Sequence, residues 1–120
     1  MLKSSTEKRF PRRGEIWLVN FNPGRGSEQR GIRPALIIQN DVGNQYAATV
    51  VVAAVTTTIK RYPVTVFIPA KSCGLRHDSM VNLAQVLTID KARLKKKLSE
   101  LKPELLKSVD RAILVSLGID

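Results

Sequence analysis

The stretch TVVVAAV, Thr49 to Val55, decides the fold. It is an uncharged run rich in β-branched residues, with no polar face for water. Such a run reads as a strand covered on both sides, which places it at the centre of the fold. Working back from it, Asn40, Asp41, Gly43 and Asn44 are turn residues, and before them Pro34–Gln39 (PALIIQ) is a second strand. Glu15–Phe21 (EIWLVNF) is another, apolar on both alternate faces. Working forward, Pro63–Ile68 alternates Val64, Val66 and Ile68 against Thr65 and Phe67, and Ser79–Ile89 (SMVNLAQVLTI) supplies one long strand or two shorter ones. Asp90 is placed to cap a short helical turn over Lys91–Leu94, and Lys96–Leu101 reads as the last strand. Pro103 then suits a first helical position, where its missing N–H is no loss. Leu105, Leu106, Val109, Ala112, Ile113 and Leu117 recur at helical spacing up to Gly118, with Glu104, Lys107 and Arg111 on the wet face. Many strands, short connections and one good helix exclude a parallel βαβ fold. The expected class is mainly β: a small, strongly bent antiparallel sheet or barrel with a C-terminal helix packed on one side.

The chain of 120 residues fits one domain, and its 43% apolar and 25% charged residues exclude wholesale disorder. Its charge is one-sided: 20 Lys+Arg against 10 Asp+Glu give +10. A small domain this basic draws in polyanions, nucleic acid above all. Residues 1–13 (MLKSSTEKRFPRR) read as a loose basic arm ahead of a single domain over 14–120. The arm has no apolar core and so is not a secretory signal. The longest apolar run, Tyr46 to Val55, is far short of the ~20 residues that span a bilayer, so no membrane is expected. Cys73 is the only cysteine, which excludes an intrachain disulfide and points to a reducing cytoplasm.

One Cys and one His, with no acidic cluster, make no zinc site, and no carboxylate pair has two-metal nuclease spacing. No phosphate or dinucleotide motif is present, so neither metal nor cofactor is expected. The four-residue spacing of Cys73 and His77 reads as coincidence. What remains is the glycine-rich loop NPGRGSEQRGIR (Asn22–Arg33), carrying Arg25, Ser27, Glu28, Gln29, Arg30 and Arg33, and the cluster Thr56-Thr57-Thr58 at the end of the apolar strand. RNA is cut without metal when its own 2′-OH attacks the adjacent phosphorus. A protein then supplies a proton acceptor, a proton donor to the leaving 5′-oxygen, and positive donors on the phosphoryl oxygens. Arginine suits the last part, a threonine hydroxyl completes the cradle, and Glu28 is the loop carboxylate that can handle a proton. The same residues also read as a loop-pinning salt bridge (Arg33), a strand-end residue (Thr56) and a solvated counter-charge (Glu28). Residue types alone therefore give an RNA-binding β-domain, nuclease or not.

Arg13-Gly14-Glu15-Ile16-Trp17, then PGRGSEQRGIRP from Pro23 to Pro34, then Gln39-Asn40-Asp41-Val42-Gly43-Asn44 resemble the MazF/PemK toxin ribonucleases. Val55-Thr56, Asp78-Ser79, Gln85, Thr88-Ile89-Asp90 and Leu117-Gly118 extend the likeness over about residues 12–118. The resemblance implies an SH3-like barrel with a C-terminal helix, working as a homodimer. It implies cleavage of single-stranded RNA, often mRNA, to 2′,3′-cyclic phosphate and 5′-OH ends, with no metal. It also implies an antitoxin whose acidic extended tail lies in the RNA groove. By position, Arg33 matches the catalytic arginine, Thr56 the catalytic Ser/Thr, and Glu28 a loop acid. Ser27, Gln29, Asn40, Asn44 and Gln85 match positions near the RNA path, to which Arg25, Arg30 and Thr57 add charge and a hydroxyl. Some branches carry an Arg and an Asp where this chain has Asn82 and Ala84, which favours the Arg33/Thr56 arrangement. Two rivals are a toxin on the same scaffold that binds a topoisomerase, which needs neither residue, and a plain RNA-binding module. The six aromatics of the chain argue against the module, because single-strand binders stack bases on aromatic platforms.

Overall fold

A computed structural model describes residues 10–23 and 30–119. The elements run β1 (Glu15–Asn20), β2 (Ile32–Ile37), α1 (Asp41–Tyr46), β3 (Thr49–Thr56), β4 (Thr65–Ile68), α2 (Ala70–Cys73) and β5 (Ser79–Asp90). A 3-10 turn (Lys91–Arg93), β6 (Leu94–Glu100) and α3 (Pro103–Leu117) complete the chain. All the strands join one antiparallel sheet in the order β4-β5-β3-β2-β1-β6. The apolar run forms β3, an inner strand between β5 and β2. β4 and β6 remain as edges, so the sheet is not closed as a barrel. Register shifts in the β1–β6 and β3–β5 ladders bend the strands where extra residues are accommodated.

Each face of the sheet has its own apolar cluster. On one face Val109 and Ala112 of α3 pack against Ile16, Leu36, Ala53 and Val81. On the other, Val19, Phe21, Ala35, Ile37, Val50 and Val52 pack together. β3 therefore buries alternate residues on opposite sides, and β1 does the same with Ile16 and Val19. α3 starts at Pro103, ends at Gly118 in the left-handed conformation, and exposes Glu104, Lys107 and Arg111. The apolar stripe stops short of the predicted one: Leu117 is 63% exposed, because the helix runs past the sheet it covers. Asp90 precedes the 3-10 turn but makes no side-chain cap bond. Among the described residues, no helix is long and apolar enough to cross a membrane.

The turn expected over Asn40–Asn44 is the start of α1. Asn40 caps it by accepting the Gly43 N–H at 2.8 Å. Arg13 locks this corner to the rest of the fold. Its N–H donates to the Asp41 carboxylate at 2.7 Å, its Nε to the Ile38 carbonyl at 2.8 Å, and its Nη2 pairs with Asp110 of α3 at 2.7 Å. Glu15, also nearly buried, accepts the Arg12 N–H and the Trp17 indole N–H, both at 2.9 Å, and pairs with Lys97 on β6 at 3.2 Å. The hydrogen bond that Lys97 donates to Glu15, ahead of the charges of Glu15 and Glu100, holds the Lys97 ammonium above the ordinary lysine range.

The Arg13 N–H, then the Asn44 amide and the charges of Arg12 and Arg13, hold the Asp41 carboxyl below its ordinary value against a smaller opposing effect of burial. A carboxylate favoured in the folded state contributes stability that is full above its unfolded pKa. That stability is lost as pH falls through the lower folded pKa. Asp41→Asn is therefore expected to lower the melting temperature at pH 7, with the difference from the parent closing as pH falls below the ordinary aspartate range. A gap that stays constant from pH 7 down to pH 3 would show that the charge of Asp41 carries none of it.

Candidate active site

The site forms where β2 and β3 part. Their ladder pairs Ile37 with Val52, Leu36 with Ala53 and Ala35 with Ala54, and goes no further. The next residue of β2 is Pro34, which has no N–H to give a ladder. Two steps beyond Ala35 and Ala54 on the same face stand Arg33 and Thr56, on the side of the sheet away from α3. β5 supplies the opposite wall. Its register pairs Thr56 with Met80 and Ala54 with Asn82, then resumes at Ala53 with Val86. Leu83, Ala84 and Gln85 are thus extra residues, and the Ala84 N–H closes the bulge on the Asn82 side chain at 3.0 Å.

The resulting cleft has a volume of about 430 Å³. Arg30, Arg33 and Lys60 bring positive charge to it, and Thr56, Thr58, Asn82 and Gln85 bring hydroxyl and amide groups. Ala54, Met80 and Tyr62 bring apolar surface. No carboxylate, imidazole or thiol lines it among the described residues. Arg33 is exposed, and its Nε donates to the Arg30 carbonyl at 3.0 Å. That bond orients the guanidinium and leaves Nη1 and Nη2, the edge that grips phosphate oxygens, to meet a ligand. The half-buried Thr56 hydroxyl accepts the Thr58 N–H at 3.1 Å. The hydroxyl keeps its own proton as a donor. Two donors on neighbouring strands, in a cationic cleft whose described lining holds no carboxylate, make a site for an anionic oxygen.

Of the residues singled out from sequence, the cleft gathers Arg30, Arg33, Thr56 and Gln85. Thr57 is exposed and does not line it. Asn40 and Asn44 are not in it either. The Asn40 side chain caps α1, and Asn44 is fully buried, bonded to Gln39 and Asp41. Arg25, Ser27, Glu28 and Gln29 lie outside the described residues. Thr58, Lys60 and Tyr62 join the cleft without having been picked out. The signal for them was the run Lys60-Arg61-Tyr62, two basic residues followed by an aromatic, in the connection after the polar end of the central strand.

The loop between β1 and β2 is clasped at its stem. The Phe21 N–H donates to the Gly31 carbonyl at 2.8 Å, and the Gly31 N–H to the Asn22 side-chain oxygen at 2.9 Å. Gly31 sits at φ +72°, where a Cβ is disfavoured. From the 3-10 turn, Arg93 Nη1 reaches the carbonyls of Asn20 and Asn22 at 2.9 and 2.5 Å.

A profile of the family described as PemK-like, MazF-like toxin of type II toxin–antitoxin systems matches residues 12–117. A protein of Staphylococcus saprophyticus subsp. saprophyticus named endoribonuclease MazF is 47% identical over 110 residues, 90% of this chain and 92% of that protein. Among solved structures, MazF from Deinococcus radiodurans is similar with a TM-score of 0.81 and 27% identity, covering 93% of this chain and 100% of that one. An endoribonuclease in complex with its cognate antitoxin, from a mycobacterial species, gives a TM-score of 0.78 at 25% identity, covering 92% and 97% of the two chains.

Proposed function

The chain belongs to the PemK-like, MazF-like toxins of type II toxin–antitoxin systems, and from that membership we propose that it is the endoribonuclease of such a pair, cutting single-stranded RNA in the cleft between Arg33 and Thr56. The observation that carries the reading is the meeting of those two side chains, from separate strands, in a basic cleft whose described lining holds no carboxylate. In the reaction the 2′-oxygen bonds to the adjacent phosphorus and the bond from phosphorus to the 5′-oxygen breaks. The products are a 2′,3′-cyclic phosphate and a 5′-OH. The 2′-OH proton leaves to Glu28 or to water, and the departing 5′-oxygen takes a proton from water. Arginine keeps its charge, so Arg33 acts on the phosphoryl oxygens as they gather negative charge, and Thr56 donates a second hydrogen bond there. The nucleophile is the substrate's own hydroxyl, and the scheme has no step that calls for a metal ion.

The same cationic cleft suits the acidic, extended tail of an antitoxin, and the working form in this reading is a cytoplasmic homodimer. Residues 14–120 make the single toxin domain, and the basic segment 1–13 adds non-specific affinity for RNA. Incubation of the purified protein with mixed-sequence single-stranded RNA in excess EDTA is expected to give fragments ending in cyclic phosphate. Binding without cleavage would leave an RNA-binding module. Neither binding nor cleavage would turn attention to a protein target such as a topoisomerase.

A further inference from the structure

The connection between β3 and β4, residues 57–64, does more than engage the Thr56 hydroxyl through the Thr58 N–H, because its far half is pinned by bonds of its own. Thr65 is its anchor. Its N–H donates to the Tyr62 carbonyl at 2.9 Å, its hydroxyl donates to the Lys60 carbonyl at 2.9 Å, and its oxygen accepts the Tyr62 N–H at 3.1 Å. The Lys60 N–H meets the Met80 sulfur at 3.2 Å. Arg61 lies over the Phe67 ring, 4.2 Å from its centre. Its neighbours Lys60 and Tyr62, two apart in the chain, both line the cleft. Tyr62 is the only aromatic of that lining among the described residues, and it is 47% exposed. A flat, half-open ring on a pinned backbone contributes little to the core. Beside a flexible ammonium, a point charge suited to phosphate, it offers the two contacts that hold a nucleotide of a single strand.

We propose that Tyr62 and Lys60 form a second nucleotide subsite, the Tyr62 ring stacking on a base beside the cut and the Lys60 ammonium pairing with that nucleotide's phosphate. The subsite rests on the RNA-cleaving reading of the Arg33–Thr56 cleft. Every base has a flat face, so the contact strengthens binding and fixes the strand's register without choosing the base.

The test uses the full-length protein, a single-stranded RNA that it cuts, and a 2′-deoxy oligonucleotide of the same sequence, which lacks the nucleophile and is bound uncut. Tyr62→Leu, which keeps apolar bulk and loses the flat face, is expected to weaken binding of the deoxy strand about tenfold. It should raise KM for the RNA by a similar factor, with a smaller change in kcat. Tyr62→Phe keeps the face and should stay near the parent. Tyr62→Trp, with a larger face, should bind more tightly, and it serves if Tyr62→Leu does not fold. Lys60→Met should lower the slope of log affinity against log salt by about 0.7, one phosphate contact on a single strand. Unchanged affinity in folded Tyr62→Leu, or in Tyr62→Trp if it alone folds, overturns the subsite, as does an unchanged salt slope in Lys60→Met. If the parent cuts RNA and Arg33→Ala does not, that failure belongs to the subsite alone. If the parent neither binds nor cuts, the RNA-cleaving reading has failed first.

Discussion

Arg33→Ala is expected to lower the single-turnover rate of RNA cleavage by about 100- to 1000-fold, equal to about 2.7–4 kcal/mol of transition-state stabilisation. The size follows from its position. The guanidinium faces the cleft beside the Thr56 hydroxyl, and the loss of one aimed donor is felt when charge builds on the phosphoryl oxygens. Folding should hardly notice. Arg33 is exposed and packs in neither apolar cluster, and its side-chain bond is to the carbonyl of a residue three positions away. A melting temperature within about 2–3 °C of the parent is expected for such a surface change. Arg33→Lys keeps the charge without the fork and should recover only part of the rate. Rapid-quench cleavage of a defined RNA measures all three proteins. A fall of less than threefold in folded Arg33→Ala removes this residue from the reaction.

The second large effect is on stability. Asn44 is fully buried, donates from Nδ2 to the Gln39 carbonyl at 2.9 Å and to Asp41 at 3.1 Å, and accepts from Gln39 Nε2 at 3.1 Å. Asn44→Leu strands the Gln39 carbonyl and crowds an apolar side chain against polar groups. Each buried partner left unpaired costs about 1–3 kcal/mol, so a loss of about 2–4 kcal/mol and a drop in melting temperature on the order of 10 °C are expected. Calorimetry or urea unfolding reads this directly. A position that touched RNA from the surface would behave differently. It would lose affinity while the melting temperature stayed put, and that result would return Asn44 to the binding surface.

The fold was legible wherever one physical requirement outweighed the rest. The apolar run Thr49–Val55 had no polar face and could only be an inner strand. Pro103 and Gly118 bracket α3 because one lacks a donor and the other tolerates a left-handed backbone. α1 was not legible, since Asn40, Asp41, Gly43 and Asn44 are turn formers and a six-residue helix shows no apolar period. What makes it a helix is the Asn40 cap and the bond from Arg13 to Asp41, the second a contact across 28 positions. The open sheet was hidden for a similar reason: whether β4 and β6 meet depends on accumulated bend, which no strand encodes alone. At the site, the motif shared with a family picked out Arg33 and Thr56, which the fold brings to one cleft. Their facing positions follow from a ladder that only pairing reveals. Asn40 and Asn44, singled out by the same likeness, are tied to the fold by the Asn40 cap and by the bonds of Asn44 to Gln39 and Asp41, which a motif does not display. Tyr62 and Lys60 went unnoticed because a lone aromatic after two basic residues is common on surfaces, and the Thr65 anchor that holds their backbone is a contact of the fold.

The clasp at the foot of the β1–β2 loop separates two tasks that many catalytic loops must share. Its bonds come from Phe21, Gly31, the Asn22 side chain and Arg93, so the stem is fixed by residues at the ends of the two strands and in the 3-10 turn. Such a stem bears the closure of the loop, and the closure entropy grows only with the logarithm of the loop's length. A change of length in that connection is therefore expected to cost the fold little, because the clasp meets it before the sheet does.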